Sequence, residues 1–436
     1  MSPNAKHGAS PPMMAGAPPF RPGSRVVLAN WQDPPFNRWA FQHVRELIPT
    51  ARIARGGGPV WRLRQDGRDI GRVTFRSGQR EMTIAQMLAE TYTDGFLVVH
   101  HGRIVAELYF NGMAPDTTHL LMSVSKSVTS AVAGALWGRG MLDTSSHVTD
   151  IVPELGGTSF EGATVQHLLD MRAGTRFNED YDDPEADVRA SEPIYLWRPR
   201  GARDLPDDAL TYFAELRNDG QHGGPFRYRS ILTDVLAWVV EKAAGARFHE
   251  VVARELWQPM GAEFDAEVTV DAHGNPMADG GICATLRDLA RFGQLYLQSG
   301  RAQGHLQSGR ARDHLQPGRE RDHLQSGREQ DRQIVPAAWV DDTIRGAADG
   351  ARAFVDGDNP PGFPSAAHYR NCWWVPEPDL PFYYASGING QNVFVHMPSQ
   401  TVIVKLSTWP VPESPSLRRT TIQAVRALAR ALAGAQ

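Results

Sequence analysis

Apolar, strand-like runs sit toward both ends of this chain, and the stretch between them is helical. Phe96-Leu97-Val98-Val99 and Ile104-Val105-Ala106-Glu107-Leu108-Tyr109-Phe110 flank His100-His101-Gly102-Arg103. That pattern reads as a β-hairpin, with Gly102 supplying the positive φ the turn needs. Residues 368–375, 381–386, 391–396 and 401–407 are strand-like again. Helical periodicity covers residues 123–136, 164–171, 232–244, 249–256 and 286–297, and a last amphipathic helix covers 417–432. Strands, then helices, then strands predict an α+β fold. The expected architecture is a mainly antiparallel sheet built from both chain ends and flanked by helices. A mainly helical lobe, at about residues 140–230, is inserted between them.

The chain has 436 residues, of which 41% are hydrophobic and 22% charged. These are globular values with material for a full core. Residues 1–24 are proline-rich with little to pack and read as a disordered leader, and residues 25–436 read as one large domain. A nine-residue unit built on Leu-Gln-Ser-Gly-Arg first occurs at Leu297-Gln298-Ser299-Gly300-Arg301 and recurs through residue 328. A stacked solenoid would need apolar contacts. Each unit after the first offers one Leu, so residues 302–331 read as a surface-loop insert. The charge balance is 45 basic to 49 acidic residues, net −4, which leaves no excess for nucleic acid. No apolar run reaches membrane-spanning length, and the N-terminus lacks a signal-peptide pattern. A soluble, cytoplasmic protein is expected. Two cysteines, Cys283 and Cys372, are too few for a disulfide framework and read as buried thiols.

Only four of the 45 basic residues are lysines: Lys6, Lys126, Lys242 and Lys405. One completes Ser123-Val124-Ser125-Lys126, an S-x-x-K at a predicted helix start. Residues at i and i+3 share a helix face, so hydroxyl and amine can meet. The helix N-terminus favours an oxyanion, and desolvation would lower the lysine's proton affinity enough to make it a base. An N-cap serine beside a surface lysine is the ordinary alternative. The apolar flanks Leu120-Leu121-Met122 and residues 131–136 argue against it. Tyr228, in Tyr228-Arg229-Ser230, is a candidate proton shuttle. Gly387-Ile388-Asn389-Gly390-Gln391 lies between two strands, where it serves as a hairpin turn, and a backbone N–H there is placed to meet a ligand.

In this order the motifs resemble the serine β-lactamase/penicillin-binding-protein superfamily. The closest resemblance is to its class C-like branch of carboxylesterases and 6-aminohexanoate-dimer hydrolases. Longer blocks strengthen it, from Trp31-Gln32-Asp33-Pro34-Pro35-Phe36-Asn37-Arg38-Trp39 through His119-Leu120-Leu121-Met122-Ser123, Asn178-Glu179-Asp180-Tyr181, Thr233-Asp234-Val235-Leu236 and Arg287-Asp288-Leu289-Ala290-Arg291 to Thr401-Val402-Ile403-Val404-Lys405. The resemblance implies a β-lactamase/transpeptidase-like fold and an acyl-enzyme on Ser123. It implies Lys126 and Tyr228 as its proton partners, with the formal base left open between them. It also implies backbone N–H groups of Ser123 and Ile388 as the oxyanion pair, and Tyr181, Trp374 and Asn389 as substrate contacts. No Lys or Arg lies in residues 386–391, where penicillin-recognising members carry a basic residue. That departure weighs against a β-lactamase, and the resemblance implies short linear amides of the 6-aminohexanoate-dimer type and short-chain esters as the substrates. A carboxylesterase with another substrate, a β-lactamase or D-aminopeptidase, and an acylated binder without turnover are the alternatives. Residues 180–192 are rich in acid, and Glu192, with Asp183 and Asp187, is a candidate to hold a substrate amine. No cofactor or metal is expected. The expected partner is a small amide or ester, with no nucleic acid or membrane, in a monomer or homodimer.

Overall fold

A computed structural model describes residues 13–202, 204–302 and 332–434. Two sheets organise them. Their strands are β1 (Thr50–Ile53), β2 (Arg64–Gln65), β3 (Thr93–His100), β4 (Arg103–Tyr109), β5 (Thr118–Leu120), β6 (Ala266–Thr269), β7 (Ile282–Thr285), β8 (His368–Arg370), β9 (Trp373–Glu377), β10 (Phe382–Gly387), β11 (Gln391–His396) and β12 (Thr401–Ser407). The large sheet runs β8-β9-β10-β11-β12-β3-β4-β2. All its pairings are antiparallel except β2 with β4. Both chain ends meet at the β12–β3 pairing, where Ile403 faces Val98 and Val404 faces Leu97. The α+β expectation is borne out.

The central strands read as unbroken apolar runs because both faces are covered. Leu97, Val99, Val393 and Val404 pack into one core, and Phe96, Val98, Phe394 and Ile403 into the other. The C-terminal helix Pro415–Ala433 contributes Ala424, Val425, Leu428 and Leu432 to the second. The first core receives the helices named here α1 (Val124–Gly138), α2 (Ile231–Ala244) and α3 (Leu286–Leu297). Gly293 lets α3 lie against the sheet, since a Cβ there would stand 2.4 Å from Val402.

Three expectations change. Residues 368–375 form two strands, because Asn371 and Cys372 have φ of 50° and 61° and turn the chain. The leader is not wholly unstructured. Residues 1–12 lie outside the described residues, but Met14 packs on the core, its N–H donating to the Ser24 carbonyl. A second sheet, in the order β1-β6-β7-β5, is present in addition to the expected one. Its strands are three or four residues long. Periodicity over so few residues is no signal.

The first repeat unit is a helix cap. Tyr296 and Leu297 are buried, Ser299 and Gly300 have positive φ, and the Gly300 N–H donates to the Leu295 carbonyl. The remaining units fall outside the described residues. Arg301–Ala302 pairs antiparallel with Arg332–Gln333, so the insert leaves and returns at one hairpin, with Ala302 buried. Replacing residues 303–331 by Asn-Gly, a two-residue hairpin turn, should leave kcat/KM within about twofold. Loop closure changes by only about 0.6 kcal/mol per doubling of length, so the melting temperature should hold or rise by a few degrees. A fall of many degrees in a thermal scan would show that the insert carries contacts.

Lys405 is wholly buried in β12, its ammonium donating to the Thr91 carbonyl and to Ser407 Oγ. Burial is the largest influence and lowers its pKa to about 7, with Asp94 opposing the shift. The unfolded chain keeps this proton to about pH 10.4, while the folded chain releases it near 7. Unfolding therefore takes up a proton in that window, and the contribution of Lys405 to stability rises with pH. The stability difference between wild type and Lys405→Met should move toward wild type by about 1.4 kcal/mol per pH unit from pH 7.5 to 9.5. Parallel curves in denaturant titrations would sink this assignment.

Candidate active site

The Ser123–Lys126 pair sits where α1 begins, and the small sheet places it. The Leu121 N–H donates to the Ile282 carbonyl, tying the approach to α1 against β7. Met122 has a φ of 48°, an uncommon conformation for a side-chain-bearing residue, immediately before Ser123. Ser123 is the N-cap residue by position, but its hydroxyl caps nothing. It accepts instead from Lys126 Nζ at 2.9 Å. Lys126 is 1% exposed, so the surface-lysine alternative falls. A second bond from Nζ, to the Asp279 carbonyl at 2.9 Å, holds the ammonium in place.

Tyr228 comes from the loop before α2. Its neighbours pin that loop: the Phe226 N–H donates to the Ala353 carbonyl, the Arg227 N–H to Met171, and the Ser230 N–H to Glu179 Oε2 at 2.6 Å. Tyr228 and Ser123 line the same cavity, and the Ser123 side chain helps to lower the phenol's pKa. Lys126 Nζ lies 5.3 Å from the ring centroid, and Trp374 stacks on the ring at 5.5 Å and 19°. The loop between β10 and β11 completes the group. A Cβ on Gly387 would stand 2.7 Å from the Leu121 carbonyl and 2.9 Å from Ser123 N, so only glycine lets this strand end approach the start of α1. That approach brings the end of β10, and Ile388 after it, against the start of α1, and Ile388 lines the same cavity as Ser123.

Charge at the site departs from the expectation of a neutral lysine. Burial alone would lower the Lys126 pKa, but Tyr228 and the carboxylates Asp279, Glu179 and Asp234 outweigh it and hold the ammonium above its ordinary value. Asp279 Oδ2 is 3.6 Å from Nζ. Burial pushes Tyr228 up to about 12, with Lys126 pulling it back. At neutral pH the resting pair is thus an ammonium and a neutral phenol. Asp234 is pushed well above the carboxylate range by burial and then by Asp279. It accepts from Tyr195 OH at 2.8 Å and from the Asp279 N–H at 2.9 Å.

A cavity of about 450 Å³ opens over Ser123. Tyr181, Tyr228, Trp374, Ile388 and Trp409 line it, with Asp180, Asp182, Asp358 and Glu413 also in its wall. Tyr181 donates to Glu179 Oε1 at 3.0 Å. Two expected substrate contacts differ. The Asn389 side chain is buried and donates to the Trp409 and Val411 carbonyls, and it lines neither cavity beside Ser123. A φ of 58° sets its direction. Glu192 lines a smaller chamber beside Ser123, but it is buried and held by Arg189 at 2.9 Å and Arg198 at 2.5 Å, so its charge is already matched. Asp183 and Asp187 bond Asn178 instead of facing the cavity. Asp279 was missed. Its signal, an acid followed by Gly280-Gly281 between two apolar runs, looks like any turn until β6 and β7 are seen to pair.

A β-lactamase family model matches residues 82–427, so the chain belongs to the β-lactamase family and is a hydrolase of that superfamily. Within it, the chain is 36% identical over 393 residues to the 6-aminohexanoate-dimer hydrolase of Paenarthrobacter ureafaciens, covering 89% of both chains. The solved structure "Putative 6-aminohexanoate-dimer hydrolase from Bacillus anthracis" superposes with a TM-score of 0.79 at 24% identity, over 94% of this chain and 97% of that one. A family VIII carboxylesterase superposes at 0.55 with 15% identity, over 79% and 95%. These two structural likenesses speak for the fold. Among the described residues no helix is long and apolar enough to cross a membrane.

Proposed function

We propose that the chain forms an acyl-enzyme on Ser123 and hydrolyses short linear amides of the 6-aminohexanoate-dimer type together with short-chain carboxylic esters. The observation that carries this reading is the 2.9 Å bond from Lys126 Nζ to Ser123 Oγ, beneath a cavity that also receives Tyr228. The Lys126–Tyr228 pair first gives up one proton to solvent; Ser123 Oγ then attacks the carbonyl carbon as its own proton fills that place in the pair. The backbone N–H groups of Ser123 and Ile388 carry the oxyanion. The same pair returns the proton to the departing amine or alcohol, and water then releases the acid. Lys126 and Tyr228 act as one proton-sharing unit, since each shifts the other's affinity.

Substrate class follows from the cavity wall. Arg418 is the one cationic side chain lining it among the described residues, and Glu413 engages it at 3.3 Å. A substrate carboxylate close to the scissile bond finds no free cation there, which disfavours penicillin-like ligands. The acidic residues instead suit a chain ending in an amine. The test is a hydrolysis panel on purified protein with p-nitrophenyl butanoate, 6-aminohexanoate dimer and nitrocefin. The first two should turn over continuously and nitrocefin should be the poorest. Nitrocefin as the best substrate would defeat the proposal. Because Glu192 is clamped by two arginines, Glu192→Gln should weaken ester and amide hydrolysis by the same factor. A loss confined to the amine-bearing dimer would restore Glu192 as a substrate contact.

A further inference from the structure

A second chamber, of about 30 Å³, also opens on Ser123. Gln32, Tyr181, Asp234, Asp279 and Ile388 are among its walls. It has room for a water molecule, which needs about 10–15 Å³ and two to four polar partners. Two polar atoms of its wall residues are buried without a hydrogen-bond partner: Asp279 Oδ1, an acceptor, and Gln32 Nε2, a donor. Asp279 as a whole is 6% exposed. A carboxylate oxygen left bare in such a place is costly unless something donates to it. The other oxygen of the same carboxylate faces Lys126 Nζ at 3.6 Å. One small polar chamber therefore adjoins the nucleophile, one half of the proposed oxyanion pair, and a carboxylate that reaches the lysine.

We propose that Asp279, with Gln32, seats the water that cleaves the acyl-enzyme, and that Asp279 takes that water's proton. The proposal rests on the acyl-enzyme reading above and assigns its second half-reaction. The water oxygen bonds to the acyl carbon as one of its protons moves to Asp279. The acyl carbon–Oγ bond then breaks, and Ser123 Oγ takes a proton from Lys126. Asp279 returns the water's proton to Lys126, restoring ammonium, carboxylate and serine. Acylation uses Ser123, Lys126 and Tyr228 and needs no water, so the two halves separate by residue.

Pre-steady-state hydrolysis of p-nitrophenyl butanoate by the full-length protein tests this. Asp279→Asn keeps the side chain's shape and removes its basicity. The expected result is a nitrophenol burst of one per active site, slowed far less than the steady state that follows it, which falls about 10²-fold or more. Intact-protein mass spectrometry should find one butanoyl group accumulating on Ser123. Gln32→Met should slow the same step by about three- to tenfold and leave the burst alone. Equal slowing of burst and steady state in Asp279→Asn would overturn the proposal, leaving Asp279 only to position Lys126. So would a raised KM confined to the amine-bearing dimer with no accumulation, which would make the chamber a substrate subsite. If Asp279→Asn does not fold, Gln32→Met decides by the same two readouts, and an unchanged steady state overturns the assignment. Absence of any Ser123 adduct in every variant, with Ser123→Ala still turning over, would instead remove the acyl-enzyme reading.

Discussion

Ser123→Ala should lower kcat on p-nitrophenyl butanoate by about 10⁴–10⁶, and Lys126→Ala should come close behind. The double variant should be little worse than either single one, because groups that act as a unit are not additive. The geometry gives the reason. Lys126 Nζ is the donor to Ser123 Oγ, and its other hydrogen bond is fixed on a backbone carbonyl, so it holds the hydroxyl in one orientation. Removing the lysine also leaves buried Asp279 and half-buried Glu179 without their nearby cation. Lys126→Ala should therefore lower the melting temperature as well as activity, whereas Ser123→Ala should hold it. Additive losses in the double variant, or normal turnover by Ser123→Ala, would dismantle the mechanism.

Asp288→Ala should cost about 3–5 kcal/mol of stability, the range for breaking a buried ion pair. Asp288 is fully buried at the start of α3. It accepts from the Glu263 N–H at 2.7 Å, the Phe264 N–H at 3.0 Å, Thr285 Oγ1 at 2.8 Å and Arg291 at 2.8 Å. Alanine would strand two backbone donors and take one of two carboxylate partners from the Arg291 guanidinium, which is 5% exposed on its side chain and would keep only Glu263 and the Trp61 carbonyl. The melting temperature should drop by on the order of 10 °C, given about 2–4 °C per kcal/mol in mid-sized domains. Catalytic constants measured well below the new midpoint should change far less than in Ser123→Ala. A melting point within two or three degrees of wild type, by calorimetry, would show that the pocket refills with water or repacks.

Elements ten or more residues long, or paired through a tight turn, were legible in the sequence. Helices α1, α2 and α3 declare themselves by period, and the β3–β4 hairpin by its glycine turn. The site was legible where chemistry is local: Ser123 and Lys126 are one helical turn apart, so their meeting needs no knowledge of the fold. The partners of Glu192 and Asn389 were illegible for the opposite reason. Arg189 lies on the same helix as Glu192 and could have been suspected of pairing with it, but Arg198 reaches it from beyond the helix end. The Asn389 side chain is claimed by carbonyls 20 and 22 residues further on.

The charge state of Lys126 marks the boundary most clearly. From the sequence, an apolar helix around a rare lysine predicts desolvation, and desolvation predicts a neutral amine. That inference was sound about burial and wrong about charge. Asp279, Glu179 and Asp234 lie far apart in the chain, and only the packing of the small sheet and two loops brings them near the ammonium. Patterns of period, turn chemistry and helical spacing act over a few residues, so the sequence by itself determined the α+β layout, the Ser123–Lys126 pair and the turn that carries Ile388. Electrostatic free energy depends on distances between groups with no sequence relation, in a medium whose screening depends on burial. The proton's resting place, the clamp on Glu192 and the chamber beside Ser123 were therefore decided by the tertiary structure.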